Sequence, residues 1–390
     1  MNKQRPQRLL ALDILRGITI AGMLLVNNPG SWGHIYAPLA HAEWHGLTPT
    51  DLVFPFFMFI MGVSTYFSLR KYEFTLNGRA FWKILRRTVV IFAIGIGIAW
   101  LSRFLSGLRN DKTFWEAVMN FDHIRFLGVM PRLALCYGIG SLIALTVRKK
   151  ALPWVIGGML AVYAVILLIG DGLAFSTNNV LYRVDQAVLG ENHVYHDTVG
   201  GVTLGFDPEG LLSTLPSIAH MLIGFMCGGL IMSTRDNNIR INKLFIVGTI
   251  LTFAGFLLDF GLPINKKLWT PTFVLTTCGL ASSFLGLLIW IIDMKGHKKW
   301  CRFFEAFGIN PLFMYVFGSV LSIVISHIRV PYAAAESGMI SLKGWLYKAV
   351  MMPVAGGDET LASLFFALLF VVSVWAVGYV LYRNKIYIKI

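Results

Sequence analysis

HAEWHGLTPTDLVFPFFMFIMG, residues 41–62, carries two histidines and two carboxylates within eleven residues and then runs uninterrupted into an apolar block. That block decides the fold. It lacks the polar–apolar alternation of a barrel strand, and many blocks like it recur along the chain, each near the roughly 20 residues a helix needs to cross hydrocarbon. The 390 residues are 56% hydrophobic and only 14% charged, with a mean hydropathy of +0.66, a composition outside the range of ordinary soluble domains. The expected class is all-α, a polytopic transmembrane helical bundle in a lipid bilayer. Secreted and disordered classes do not fit.

The blocks predict about ten spans, near 14–34, 51–70, 86–105, 124–146, 151–170, 212–232, 243–261, 271–292, 303–326 and 359–382. The first, Ile14 to Val26, is followed by no small-x-small cleavage site and is expected to persist as a helix. Of the 34 Lys and Arg residues, 23 fall in the terminal segments and the alternate loops on their side, so the positive-inside rule places both termini in the cytoplasm. Most Asp, Glu and His residues fall on the opposite side. The net charge of +14 is therefore a topology signal, and nucleic acid is not an expected partner.

Loops at 104–123, 171–211 and 326–358 are long and carry Trp115, Tyr182, Tyr195, Trp345 and Tyr347, which suits folded caps. A short amphipathic helix is expected over Ser341–Met352. With no internal repeat or Pro/Gly/Ser linker, residues 1–390 read as a single transmembrane domain. Cys136, Cys227, Cys278 and Cys301 are widely spaced in or beside apolar blocks and read as small core residues.

Ionisable groups inside spans are costly and therefore informative. Asp13 and Arg16, three residues apart, share a helix face and fit either an interface anchor or contact with an anionic ligand. Asn27 and Asn28 precede Pro29–Gly30, where they fit turn chemistry, yet an amide there can also donate to a developing oxyanion. Arg125 and Arg132, seven residues apart, are expected on one face of the fourth span, facing a carboxylate such as Asp51, Asp122 or Asp207, or a bound phosphate.

Thr48 is placed to cap a helix beginning at Pro49 with Asp51 at its third position. His41 and His45 crowd against Glu43 and Asp51, and an imidazole oriented by a carboxylate is a good general base. A zinc half-site at His41 and His45, completed by Glu43, His193 or His196, is the rival. Gly46 and Pro49 oppose the helix it needs, and no metal is predicted.

RLLALDILRGITIAGMLLVNN, HAEWHGLTPTDLVFPFFMFIMG, FDPEGLLSTLPSIAHMLIGFMCG, PINKKLWTPTFVLTTCG and GINPLFMYV, in that order from residue 8 to about 316, resemble the heparan-α-glucosaminide N-acetyltransferase family and its bacterial relatives. The resemblance implies transfer of the acetyl group of cytosolic acetyl-CoA, as co-substrate, to the amine of a terminal glucosamine across the membrane. It implies His41 as the active-site base and Asn27 as its polar partner; Asp51, from its own position, is read as orienter or helix-start anchor.

His45 departs from the pattern, standing where the animal enzymes carry Asn. His45, Asn28, Trp44, Glu43, Arg125, Arg132, Asp207, Lys266 and Lys267 are assigned to the acceptor side. Arg16, Asp13 and Asn310 are assigned to acetyl-CoA. The expected setting is a bacterial inner membrane with the site opening outward, and a homodimer is compatible with it. A carrier for amino sugars, using the same polar residues without acyl transfer, is the alternative.

Overall fold

The computed structural model describes residues 9–334 and 338–388. Lys3, Arg5, Arg8 and Lys389, part of the charge asymmetry, lie outside the described residues. The chain forms α1 (Leu10–Val26), α2 (Val53–Leu69), α3 (Gly78–Arg109), α4 (Phe114–Val118), α5 (Val129–Thr146), α6 (Leu152–Ile169), α7 (Val180–Leu189), α8 (Thr214–Ser233), α9 (Asn237–Asp259), α10 (Pro271–Leu288), α11 (Cys301–Ile309), α12 (Pro311–His327), α13 (Leu342–Trp345), α14 (Met352–Val354) and α15 (Glu359–Arg383). Two short antiparallel hairpins pair β1 (Asp197–Val199) with β2 (Val202–Leu204) and β3 (Arg329–Pro331) with β4 (Met339–Ser341).

Among the described residues, eight helices are long and apolar enough to cross a membrane, or nine if α11 and α12, bent by 86°, form one span. The protein is an all-α polytopic membrane protein. The expected first span, 14–34, is shorter at its far end: α1 has 17 residues and stops at Val26. Pro29 has no amide hydrogen to donate, and the residue before a proline is pushed out of helical conformation. The expected fourth span starts five residues late, at Val129. The ninth is broken at Asn310–Pro311. Conversely, α3 runs on to Arg109, into what reads as loop from residue 104.

The core sits where α2, α5, α8 and α10 meet, and close backbone approach governs its packing. A Cβ on Gly62 of α2 would lie 2.0 Å from the Met221 carbonyl oxygen, and one on Gly224 of α8 would lie 2.1 Å from that of Phe59. Small residues in this reciprocal pattern let helix backbones touch in lipid, where burial from water gives no drive to associate. Gly17 and Gly308 join α1 to α11 in the same way. All four cysteines are free and buried, as their apolar flanks implied.

Connections 27–48, 110–128, 170–213, 260–270 and 328–358 gather at one end of the bundle, as cross-contacts between them require. The 171–211 segment contains α7 and the β1–β2 hairpin. The 326–358 segment contains the β3–β4 hairpin and a helical run from Leu342 to Val354, close to the expected short helix.

Replacing Gly224 by Val is expected to cost at least about 2 kcal/mol, because the opposing atom is a backbone carbonyl that cannot move aside. Gly97→Ala and Gly157→Ala meet nothing within 4 Å and should be neutral. Thermal unfolding of the detergent-solubilised protein, followed by size-exclusion chromatography, reads the difference.

Candidate active site

Asp51 organises this end of the molecule. Thr48 precedes the 3-10 turn Pro49–Leu52 that leads into α2, and Asp51 at the third position folds back on it. One carboxylate oxygen accepts from the backbone N–H groups of Ala42 and Thr48, each at 3.1 Å, and from the Thr48 hydroxyl at 3.0 Å. The other lies 2.7 Å from Nδ1 of His41. The Asp51 side chain is 1% exposed and that of His41 37%. A buried carboxylate with this many donors is fixed, and removing one partner of such a pair typically costs about 3–5 kcal/mol.

The segment 41–48 is not helical, in keeping with Gly46, whose φ of +115° suits glycine alone. With Nδ1–H directed to Asp51, the Nε2 lone pair of His41 is the acceptor, the tautomer a general base requires. Lys266 stands beside it, with Nζ 3.0 Å from Nδ1, 3.2 Å from Nε2 and 3.6 Å from Asp51 Oδ1. Burial pushes the Lys266 ammonium below the ordinary lysine range, against the attraction of Asp51 and Glu209.

His45 occupies a different setting. Its Nδ1 is 3.3 Å from the buried Asn265 amide, and partial burial holds the imidazole below its usual range, opposed by Asp259. Glu43 accepts from the Gly200 N–H at 2.8 Å and Lys267 pairs with Asp197 at 2.6 Å; both tie the β1–β2 hairpin to the segments that carry His41 and Lys266. The Trp44 indole donates to the Leu173 carbonyl at 2.8 Å and packs edge-on against Phe175 and Phe206.

Arg125 and Arg132 do not share a helix face. Arg125 precedes α5 and pairs with Asp207, at 2.8 and 2.5 Å, and with Glu209. Burial alone would raise the Glu209 carboxyl, but Arg125, Arg132 and Lys266 outweigh it and hold it below the usual range. Arg132, fully buried on α5, forms no ion pair with a carboxylate among the described residues. It donates to the Gly210 carbonyl and the Ser213 and Ser217 hydroxyls and lies 5.3 Å from the Trp269 ring. It fastens the start of α8 to α5.

Other expected site residues fall elsewhere. Asn27 is the exposed C-cap of α1, at the same end as His41. Asn28 is buried and returns its amide to the Leu24 carbonyl at 2.8 Å, so it closes the helix. Asp13 and Arg16 lie at the opposite end of α1, where Arg16 bonds Asp13, the Gly308 carbonyl and the Ser64 hydroxyl. The Asn310 amide donates to the Ile386 carbonyl and accepts from the Ile388 N–H, which pins the C-terminal segment. Among the described residues no group of three or more His, Cys, Asp or Glu is placed to hold a metal. The His193 ring bonds the Ile124 carbonyl at 2.7 Å.

Sequence reasoning missed Glu209, Asn265, Asp185 and His220. Glu209 stands beside Asp207 in the FDPEG block and Asn265 heads the NKKLW turn. His220 interrupts an apolar run, the signal that marks functional candidates in spans. Its two ring nitrogens are fully buried, with the Pro55 backbone carbonyl against the ring.

Fold and site together define a polytopic membrane protein with a carboxylate-anchored imidazole at one end of its bundle. The chain belongs to the heparan-alpha-glucosaminide N-acetyltransferase catalytic family, whose model matches residues 8–258, and so to a family of transmembrane acetyltransferases. It is 27% identical to the human heparan-alpha-glucosaminide N-acetyltransferase over 368 residues, 80% of this chain and 52% of that protein. The mouse protein of the same name is 26% identical over 371 residues, 80% of this chain and 54% of that one. An uncharacterized protein of Mycobacterium tuberculosis is 29% identical over 144 residues, 33% of this chain and 60% of that protein. The chain spans about half the length of the mammalian relatives it matches.

Asp185 offers a pH test of the cap over this site. Its carboxyl accepts from the Leu211 N–H at 2.8 Å, and burial, reinforced by Asp207 and opposed by Leu211 and Arg132, pushes it up to about 6. The folded state therefore holds this proton more tightly than the unfolded chain. The stabilisation is full below the ordinary carboxyl value near 4 and is lost as pH rises through about 6. Hydrogen exchange corrected for intrinsic rate should show residues 180–213 better protected at pH 5.5 than at 7.5, and Asp185→Asn should remove that dependence.

Proposed function

We propose that this chain moves the acetyl group of cytosolic acetyl-CoA to the amine of a terminal amino sugar, glucosamine or a short oligosaccharide ending in it, at the outer face of a bacterial inner membrane. The whole chain then acts as one transmembrane acyltransferase domain. The observation that carries this is His41, its Nδ1 2.7 Å from the buried Asp51 carboxylate and its side chain 37% exposed, within the block most specific to the family.

An ammonium is not a nucleophile, so the acceptor must lose a proton. His41 Nε2 accepts it, the free amine attacks the thioester carbonyl, and the carbon–sulfur bond breaks with CoA leaving as the thiol. Asn27 polarises the carbonyl or positions the amine, as an exposed amide at the same end is able to do. Asp51 holds the imidazole tautomer and stabilises the imidazolium that forms. Of the two histidines, His41 is favoured as base because it alone bonds a buried carboxylate, whereas His45 bonds an amide.

Lysines and arginines of the loops near 70–87, 147–150 and 295–302 supply the positive charge that attracts the polyanionic CoA on the other side. Lys267, Arg125, Asp207 and Glu43 shape the acceptor opening through the hairpin and loop they hold.

Purified protein in nanodiscs, given acetyl-CoA and glucosamine, should form N-acetylglucosamine. His41→Ala should lower kcat/KM by at least about 100-fold, the usual contribution of a positioned base, with His45→Ala much milder. Full activity in His41→Ala, or sugar uptake into vesicles without acetyl-CoA, would contradict the reading.

A further inference from the structure

Lys266 and Lys267 are adjacent, yet the fold treats them differently. Both lie in the turn between α9 and α10. The turn is fixed by the Asn265 side-chain oxygen accepting from the Leu268 N–H at 2.9 Å, the Asn265 N–H donating to the Thr270 hydroxyl at 3.0 Å, and the Trp269 N–H donating to the Lys266 carbonyl at 3.1 Å. Lys267 is directed to Asp197 in a close ion pair. Lys266 is directed to the imidazole, with Nζ within 3.2 Å of both His41 nitrogens and 3.6 Å from the carboxylate that orients the ring.

The Lys266 amine is therefore within reach of the imidazole, and a base removes a proton only from a group within such reach. A primary amine on a rigid turn, next to an imidazole–carboxylate pair and 17% exposed, has what an acyl acceptor needs. We propose that Lys266 is itself an acyl-acceptor site, converted to Nε-acetyl-lysine by the acyl thioester that reaches His41. The donor rests on the proposed function; the acceptor position rests on the geometry alone.

The step balances. The Lys266 ammonium releases one proton to solvent and its nitrogen attacks the thioester carbonyl carbon. The second proton passes to His41 Nε2, the tetrahedral intermediate collapses with cleavage of the carbon–sulfur bond, and the thiolate takes the proton from the imidazolium. The products are an amide on Lys266, CoA thiol and one released proton. Burial supports the step by favouring the free amine over the ammonium. The modified side chain carries no charge, so Asp51 and Glu209 lose a nearby cation when it forms.

Full-length protein in nanodiscs is incubated with carbon-13 acetyl-CoA, with and without excess glucosamine, and acetylation is located by peptide mass spectrometry after hydroxylamine, which removes an acyl-imidazole and leaves an amide. Lys266 is expected to label at least about tenfold faster than the exposed Lys112 and Lys295, a modest share of what a positioned base supplies. The excess should vanish in detergent-unfolded protein and fall when glucosamine competes.

The comparison among lysines of one folded sample does not depend on any variant folding; His41→Ala, if it folds, should lose the excess. Lys266 labelled no faster than Lys112 while glucosamine is acetylated overturns the proposal and leaves the proposed function standing. Fast Lys266 labelling without acetylglucosamine supports the proposal and contradicts that acceptor. Neither product contradicts both.

Discussion

A single carboxylate, Asp51, is the shared partner of the loop before α2, the start of that helix and the turn between α9 and α10. It receives donors from Ala42, Thr48 and His41 and attracts Lys266. The segment before α2 is thereby wound around the helix start, and the turn between α9 and α10 is drawn against it. A carboxylate removed from water this completely is stable only when its lone pairs are filled. The loop from His41 to Thr48 follows from that demand, and the imidazole comes to rest in one orientation.

Beneath Asp51 the bundle supplies a rigid floor. Gly62 and Gly224 allow α2 and α8 to touch backbone to backbone, and Arg132 fastens α5 to the start of α8 through two serines and a carbonyl. Above it, the β1–β2 hairpin is attached by Glu43 and Lys267, and the loop after it by Arg125. The polar residues around the opening thus serve mainly to hold the hairpin and the loop after it beside the His41–Thr48 segment. Under the proposed function, an imidazole held this firmly meets the acceptor amine in one geometry, which is what proton transfer and amine attack require.

Much of this was legible in the residues. Apolar blocks of helical length gave the class, and the Thr48–Asp51 pattern gave the helix start, because both are local and governed by backbone hydrogen bonding. Long-range partners were not legible. The pairing of Arg125 with Glu209 as well as Asp207, and of His45 with Asn265, depends on which loops the bundle brings to one end, and spacing along the chain carries no record of that. Arg125 and Arg132 were expected on one helix face because seven residues make two turns, but Gly128 begins the helix between them. Asn28 and Asn310 read as available polar groups near spans; Asn28 closes its own helix end, and Asn310 holds the distant C-terminal segment.

The proposal that acetyl transfer occurs at the His41–Asp51 pair is tested most directly by a structure of the full chain with acetyl-CoA bound. The expected density places the thioester carbonyl within about 4 Å of His41 Nε2, the reach of a near-attack arrangement, with the adenine end among the basic loops at the opposite end of the bundle. A thioester resting elsewhere in the bundle, or an adenine lying on the side where His41 opens, would contradict it.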